Sequence, residues 1–248
     1  MEIRTFGGGR RLVECERLLR LGSIRQGIDR FILLPIPTTR DKKYITGTTT
    51  TVSEISAMLD PKTAVAGYNI PPEISDRAAE VGARVYDAGI DEDFLCKNAE
   101  LTARGAVGYI LTHSKSDLAD MSVGVVGYGR IGVRLVRWLL PFETRLTVYT
   151  GRREVAMELC EMGISACLLD GSCDFSSLDL LINTAPARQI DESSIPERVE
   201  IIDLASGSIF EPSGRLIKLS SIPDAFYPLT AGRLYAEAIC SVFGGENR

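Results

Sequence analysis

The sequence contains very little histidine and no closely paired cysteines. His113 is the only histidine among 248 residues, and no two of the six cysteines are separated by just two residues. A multi-histidine metal site is therefore excluded, and a cysteine cage lacks its usual ligand spacing. A chain of this length does not depend on disulfides for stability, so most of the cysteines are expected to be small apolar side chains in a reducing compartment.

An excess of positive charge and long apolar runs are also missing. The chain has 28 Lys and Arg residues against 33 Asp and Glu residues, which gives a net charge of −5. An acidic protein lacks the basic face that nucleic acids and anionic membranes require, so neither is expected as a partner. No apolar run reaches the roughly 18–20 residues of a membrane span, and no signal peptide opens the chain. The sequence predicts a cytoplasmic protein.

Short apolar runs with strand character alternate with helical periodicity along the chain. This alternation predicts an α/β fold with largely parallel sheets. We expect an N-terminal α/β domain for substrate or partner at residues 1–97, a connecting helix and linker at 98–119, and a dinucleotide-binding domain at 120–248. The acidic stretch Asp87–Lys97 is predicted to be irregular, and the connecting helix to run from about Asn98 to Leu111.

The strongest motif follows a buried run in the second half of the chain. Residues Ser122–Val126 lead directly into Gly127-Tyr128-Gly129-Arg130-Ile131-Gly132, which opens a helical pattern. The first glycine permits a tight turn, the second lets a pyrophosphate approach the backbone, and the third lets the helix pack closely on the strand. Together with the strands that follow, this predicts a Rossmann doubly wound parallel sheet of about six strands. The alternative is a turn that merely needs glycine.

The end of the next strand bears on the choice of nucleotide. Sites that prefer NAD usually carry an acidic residue there to hold the ribose 2′-hydroxyl. This strand ends in Thr150, which is followed by Arg152 and Arg153, and no carboxylate occurs before Glu154. A hydroxyl and two guanidinium groups suit a 2′-phosphate, so NADP is the predicted cofactor, with NAD as the second possibility. The alternative is a pair of solvated arginines at a helix start.

Two further strand ends carry polar turns that would flank a bound nucleotide. Ligands of doubly wound sheets lie outside the carboxyl ends of the strands, so both turns are predicted to contact the ribose and nicotinamide. The predicted contact residues are Asn183, Thr184, Ala185 and Pro186 after one strand, and Leu204, Ala205 and Ser206 after the other. Each turn could equally be an ordinary helix cap.

These features resemble the A-subunit family of dipicolinate synthase over most of the chain. The resemblance rests on the order and spacing of Leu34-Pro35, Thr38-Thr39, Asn98, Thr102, Gly105, the Gly127–Gly132 loop, Ile182–Pro186, Asp203–Ser206 and Pro228–Gly232. It implies a C-terminal Rossmann domain with a smaller flavodoxin-like α/β domain at the N-terminus. It also implies oxidation of a dihydrodipicolinate precursor during spore formation (sporulation), hydride transfer to NADP, and a partner in the form of a flavoprotein-like B subunit.

The chain departs from the family pattern in two places. Its N-terminal region is one βα unit shorter, because little separates the helix that ends near Leu21 from the strand at Phe31. Where the family tends to read Pro-Thr-x-Glu-Gly, this chain reads Leu101-Thr102-Ala103-Arg104-Gly105, which reverses a charge. The alternative is therefore a catalytically impaired NAD(P)-binding regulatory module, or a paralogue that acts on another small carboxylate.

A small carboxylate substrate calls for arginine forks, hydroxyls or amide groups around it. The candidate substrate-binding residues are Thr38, Thr39, Asn98, Thr102 and Arg104 on one wall, with Arg188 and Thr230 on the other. His113 is expected to be a helix-end residue, and no catalytic residue is assigned. A 2-hydroxyacid dehydrogenase would need a histidine paired with an acid in its C-terminal half. This class of enzyme is disfavoured because no histidine follows His113. We expect the chain to form a homo-oligomer.

Overall fold

The structure is a computed structural model that describes residues 1–22, 27–185, 190–205, 210–211 and 213–244. The chain divides into two compact units: Met1–Asn98 joined by the C-terminal segment from Pro223, and Ala99–Ile222. This division differs from the predicted one, which assigned the C-terminal segment to the dinucleotide-binding domain.

All ten strands of the described residues lie in two parallel sheets. The strands are β1 (Glu2–Thr5), β2 (Arg30–Leu33), β3 (Thr63–Gly67), β4 (Arg84–Asp87), β5 (Ser122–Val126), β6 (Arg145–Thr150), β7 (Ser165–Leu168), β8 (Leu180–Asn183), β9 (Glu200–Asp203) and β10 (Leu216–Lys218). The helices are α1 (Arg10–Leu21), α2 (Val52–Ala57), α3 (Pro72–Val81), α4 (Glu92–His113), α5 (Arg130–Leu139), α6 (Arg153–Glu161), α7 (Ile222–Phe226) and α8 (Pro228–Phe243). The predicted α/β class is confirmed.

The sheet of the first unit has the strand order β1-β2-β3-β4. A flavodoxin-like sheet has the order 2-1-3-4-5, and removing its second strand leaves four strands in sequential order. Within the described residues, the sheet therefore matches a flavodoxin-like domain that is one βα unit short, as predicted.

Helix α8 belongs to the core of the first unit, where it packs closely on α1. A Cβ on Gly232 would lie 2.6 Å from the carbonyl oxygen of Arg11 and 2.7 Å from Cβ of Glu14, so only glycine allows this approach. Tyr235 is fully buried and donates its hydroxyl to the carbonyl of Leu34 at 3.3 Å. This helix therefore belongs to the first unit and not to the dinucleotide-binding domain, to which the predicted boundaries 120–248 assigned it.

The sheet of the second unit has the order β7-β6-β5-β8-β9-β10, all parallel. Numbered within this unit, the order is 3-2-1-4-5-6, which is that of a Rossmann fold. The predicted doubly wound sheet is confirmed. The direction of strand addition reverses between β5 and β8, where Val126 pairs with Asn183, so the ligand-binding switch point lies at their carboxyl ends.

Helix α4 begins at Glu92, so the prediction of an irregular Asp87–Lys97 segment is wrong. The side chain of Asp91 accepts a hydrogen bond from the amide of Phe94 at 3.1 Å, which caps the helix start. Glu92 and Asp93 add negative charge to the first turn, where the helix dipole favours it. No helix among the described residues is long and apolar enough to cross a membrane.

Candidate nucleotide-binding site

The turn after β5 depends on the first glycine of the motif. Gly127 has φ of 87°, a left-handed conformation that suits glycine. A Cβ at this position would also lie 2.9 Å from Oγ1 of Thr184. The amide of Gly127 donates to the carbonyl of Tyr149 at 2.8 Å, and Thr184 donates its hydroxyl to the carbonyl of Val126 at 2.8 Å. The turn is therefore fixed to both neighbouring strands.

The other two glycines have opposite surroundings. A Cβ on Gly132 would overlap the carbonyl oxygen of Gly127, so this glycine lets α5 pack directly against the turn. A Cβ on Gly129 would meet no atom within 4 Å, and its backbone is extended with φ of −93°. No fold contact in the described part of the chain therefore demands glycine at position 129.

The start of α5 is open to an anionic ligand. Gly129 is the N-cap residue, and in the described residues no side chain forms a capping hydrogen bond to α5. The amide groups of a first helical turn have no acceptor within the helix, and the helix dipole adds positive potential there. This combination fits a pyrophosphate.

The side chains of the loop help to hold it in place. Tyr128 and Ile131 are half-buried and pack against the core that contains Val125 and Leu135. Burial raises the pKa of Tyr128. Arg130 is exposed at the helix start. The loop is therefore anchored by two of its side chains, while its backbone lies beside the switch point.

The end of β6 is linked to the glycine loop by Arg152. Its guanidinium Nη2 donates to the carbonyl of Tyr128 at 2.7 Å, and its own amide donates to Oγ1 of Thr150 at 3.2 Å. Thr150 is only 2% exposed, so its hydroxyl serves the turn. Arg153 is exposed at the first position of α6. The place where NAD sites carry a carboxylate thus has a guanidinium group beside the loop.

The ends of β8 and β9 are joined by a buried polar pair. Asn183 donates from Nδ2 to Oδ1 of Asp203 at 2.8 Å, and both residues are fully buried. Asn183 accepts from the amide of Ala185, and Asp203 accepts from the amide of Ala205, each at 3.1 Å. The Asn183–Asp203 pair therefore positions the backbone of both turns, and the contact of Asn183 with a nucleotide stays a prediction.

Asp203 is absent from the predicted site residues, although it is the partner that fixes this arrangement. The signal in the sequence is the presence of a polar residue at the last position of two adjacent strands. Leu204 is 7% exposed and packs in the core, so its side chain faces the protein. Three predicted site residues, Pro186, Arg188 and Ser206, lie outside the described residues.

Most of the predicted substrate residues of the first unit already have structural partners. Thr38 is fully buried, and its Oγ1 accepts from the amide of Tyr68 at 2.8 Å, so it holds two loops together. Thr39 donates to Oδ1 of Asp41 at 3.2 Å. Thr230 is exposed in the first turn of α8. Thr230 was predicted on the opposite wall, and it belongs to the same unit as Thr38 and Thr39.

Asn98 contacts an arginine that the sequence did not single out. Its Oδ1 accepts from Nη2 of Arg11 at 2.7 Å, and Arg11 is only 4% exposed. Nη1 of Arg11 lies 3.5 Å from Oδ2 of Asp224, and burial lowers the pKa of this arginine. Asn98 therefore belongs to a partly buried polar cluster, and its contact with a substrate stays a prediction.

The second unit contains the other two candidates, Thr102 and Arg104. Thr102 is 8% exposed on α4. Arg104 donates from Nε to Oε1 of Glu100 at 3.0 Å and lies over the ring of Trp138 at 5.0 Å. Glu100, one turn earlier, balances the charge of Arg104. The predicted reversal of local charge is therefore offset, and Arg104 is held in a surface cluster.

His113 is the last residue of α4, as predicted. Its ring stacks on Tyr109 with centroids 3.9 Å apart, and its Nδ1 lies 2.9 Å from the carbonyl oxygen of Tyr109. The histidine is exposed and held by its own helix. Nothing in this arrangement points to a catalytic base.

Cys160 is exposed, and two more cysteines also differ from the prediction that most are small apolar fillers. Cys167, in β7, forms a disulfide with Cys173, and their Cα atoms are 6.4 Å apart. Cys15, by contrast, is a buried free thiol whose pKa burial raises. No group of three His, Cys, Asp or Glu residues in the described ranges could hold a metal ion.

Solved structures with the same fold include dipicolinate synthases and dehydrogenases. The dipicolinate synthase A-subunit from Bacillus halodurans matches with a TM-score of 0.80 and 19% identity over 98% of each chain. The A chain of dipicolinate synthase from Bacillus subtilis matches with a TM-score of 0.77 and 19% identity, over 98% of this chain and 95% of that one. D-lactate dehydrogenase from Escherichia coli matches with a TM-score of 0.63 and 13% identity, over 98% of this chain and 96% of that one.

No protein-family model matches the sequence, and no curated protein matches it. The predicted resemblance to the dipicolinate synthase A-subunit is confirmed at the level of the fold, which is what identities this low establish.

Proposed function

We propose that this protein is an NAD(P)-dependent oxidoreductase that acts on a small carboxylate of the dihydrodipicolinate type. The observation that carries the proposal is the backbone at Gly129, where a helix start with no side-chain cap among the described residues lies at the switch point of a Rossmann sheet, and a Cβ would meet open space. The likeness to the dipicolinate synthase A-subunit supports the substrate class.

The residues present fit a dinucleotide. The first-turn amides of α5 would hold the pyrophosphate, and the Asn183–Asp203 pair keeps the backbone at Ala185 and Ala205 in position beside the cofactor. When bound, the oxidised nicotinamide would accept a hydride from the dihydropyridine ring, and loss of one proton would leave the aromatic diacid. The protein's task is to align the two reactants and exclude water.

We further propose that NADP is preferred over NAD. Arg152 is already bonded to the glycine loop through the carbonyl of Tyr128, and within the described part of the chain its remaining guanidinium donors are available beside the end of β6. Arg153 adds a second exposed cation at the adjacent position. A 2′-phosphate would gain charge-assisted hydrogen bonds that a 2′-hydroxyl does not need.

The rival function is a regulatory module that binds NAD(P) without catalysis. The charge change at Arg104 is the reason to consider a regulatory module. The ion pair between Arg104 and Glu100 weakens this reason, because it balances the charge. The two functions differ in one readout. A module would bind NADPH but would leave the absorbance at 340 nm unchanged with every pyridine or dihydropyridine acid, whereas an enzyme would change it with at least one.

We also propose a cytoplasmic location, a homo-oligomeric state and a flavoprotein-like B subunit. The designation of the Bacillus halodurans protein by a subunit letter supports a second kind of polypeptide in such assemblies. Co-expression with a candidate B subunit, followed by size-exclusion chromatography, tests both the assembly and the homo-oligomer.

The test of NADP preference is a double substitution, Arg152→Glu with Arg153→Glu, followed by fluorescence titration with NADPH and NADH. We expect the Kd for NADPH to rise at least about tenfold, because a charge-assisted contact is replaced by repulsion, and the Kd for NADH to change far less. Arg137→Glu, an exposed arginine near the other end of α5, is the matched control. Equal losses for both nucleotides would contradict the assignment.

A further inference from the structure

A pocket of about 270 Å³ opens in the loop that follows β2. It is lined by Arg40, Asp41 and the segment Tyr44–Thr48. Parallel α/β sheets bind ligands outside the carboxyl ends of their strands, and this loop begins at such an end. No residue of the pocket was among the predicted site residues, although Thr38 and Thr39 immediately precede it.

The loop around the pocket is held in one shape by its own backbone. Thr39 and Ile45 form an antiparallel bridge, and the amide of Thr46 donates to the carbonyl of Thr38 at 2.9 Å. The amide of Val52 donates to the carbonyl of Lys43 at 2.9 Å and closes the loop at the start of α2. The pocket is therefore preformed, which reduces the entropic cost of binding.

The charge of the loop favours an anion. Residues 40–43 read Arg-Asp-Lys-Lys and carry a net charge of +2 in a chain whose net charge is −5. Asp41 does not engage Arg40: its Oδ1 accepts from the amides of Lys43 at 2.9 Å and Tyr44 at 2.8 Å. Among the described residues, Arg40 has no hydrogen-bond or ion-pair partner, so its guanidinium group is available.

Thr46, one of the residues that line the pocket, has a hydroxyl without a partner in the described ranges. Oγ1 of Thr46 is buried and makes no hydrogen bond within the described part of the chain. Folded proteins rarely leave a buried polar group unpaired, because the unmade hydrogen bond is unfavourable. A ligand with an acceptor oxygen would satisfy this hydroxyl.

We propose that the Arg40 pocket binds a carboxylate group of the substrate, with the Arg40 guanidinium as its charge partner and the Thr46 hydroxyl as a second donor. The guanidinium fork matches a carboxylate and can bind it through two parallel hydrogen bonds. The identity of the ligand as a planar diacid rests on the proposed function. The pocket itself belongs entirely to the first unit.

The first test is calorimetric titration of the full chain, saturated with NADP⁺, with pyridine-2,6-dicarboxylate. We expect Arg40→Gln to weaken binding of the diacid at least about tenfold, since one charge-assisted interaction is lost. Lys42→Gln is the matched control, because it removes the same charge two positions away without lining the pocket. The uncharged analogue pyridine-2,6-dicarboxamide should bind far more weakly than the diacid.

The second test separates a ligand role of Thr46 from a structural one. Thr46→Val replaces the unpaired hydroxyl by a methyl group of similar size. If the hydroxyl serves the ligand, affinity for the diacid falls while the melting temperature stays equal or rises. A lower melting temperature with unchanged affinity would assign the hydroxyl to the fold and overturn its role here.

Failure of this inference can be told apart from failure of the proposed function. Wild-type affinity of Arg40→Gln for the diacid overturns the pocket alone while NADPH binding persists, whereas no binding of the diacid to the wild type would also overturn the proposed substrate class. Loss of NADPH binding by the wild-type chain itself would instead overturn the proposed function.

Discussion

Replacing Gly129 by valine should abolish nucleotide binding while leaving the fold intact. The added side chain would enter open space, since a Cβ there meets no protein atom within 4 Å. The backbone at this position is extended, with φ of −93° and ψ of −160°, which a β-branched residue adopts readily. The bulk would instead occupy the surface over the first-turn amides, where the pyrophosphate is expected.

The magnitudes of the two effects differ enough to be separated. Exchange of an N-cap glycine for an apolar residue costs up to about 1 kcal/mol of stability. For a protein of this size, that corresponds to a fall of about 2–4 °C in melting temperature. Exclusion of the pyrophosphate removes several charge-assisted hydrogen bonds, so we expect the Kd for NADPH to rise at least about a hundredfold, or about 2.7 kcal/mol.

The assay pairs fluorescence titration of NADPH with thermal melting. The control is Gly132→Val in the same motif, whose Cβ would overlap the carbonyl oxygen of Gly127 and so must shift the fold. That variant should melt well below Gly129→Val, because overpacking typically costs about 1–3 kcal/mol. The reasoning is refuted if Gly129→Val retains wild-type affinity, or if it unfolds like Gly132→Val.

Two further predictions concern stability. Gly232→Ala should lower the free energy of unfolding by about 1–3 kcal/mol, because its Cβ would press on the backbone of Arg11. Urea denaturation measures this difference. An unchanged denaturation midpoint would mean that α8 does not pack on α1 in this way. The pKa of Glu54 lies below its ordinary value of 4.5, chiefly because the backbone amide of Thr51 donates to the Glu54 carboxylate. The ionised carboxylate therefore stabilises the fold above about pH 4.5, and this stabilisation is lost as the pH falls through the lowered pKa. The difference in melting temperature between the wild type and Glu54→Gln should therefore shrink in acid, and a difference that grows in acid would contradict the capping role of Glu54.

The glycine turn after β5 could be predicted because it depends on backbone geometry. Gly127 must adopt positive φ and Gly132 must allow close packing, and both needs fall on glycines between a buried strand and a helix. The parallel arrangement of both sheets could be predicted from the alternation of strands and helices. The missing N-terminal βα unit could also be predicted, because only a short stretch of sequence separates Leu21 from Phe31.

The partners of side chains were harder to predict, because they depend on packing between distant segments. The apolar face of α8 indicates burial without saying against which sheet, and only the fit of Gly232 on α1 decides it. Asn183 looked available at a strand end, yet the neighbouring Asp203 occupies its side chain. The sequence motif around Arg104 does not show that Glu100, one turn earlier, balances its charge.

Some features had weak or misleading sequence signals. The acidic composition of Asp87–Lys97 is a misleading signal for irregular structure, because an Asp at the cap followed by two carboxylates is typical of a helix start. The spacing of Cys167 and Cys173 does not by itself distinguish a disulfide from two free thiols. The Arg40 pocket depends on the path of the loop, which no periodicity describes.

The most direct test of the central claim is a crystal structure of the protein with NADPH. We predict that the pyrophosphate oxygens accept hydrogen bonds from the first-turn amides of α5, next to Gly129, with the 2′-phosphate beside Arg152. A nucleotide bound elsewhere, or a glycine loop that stays empty in crystals soaked at a saturating concentration, would contradict the account.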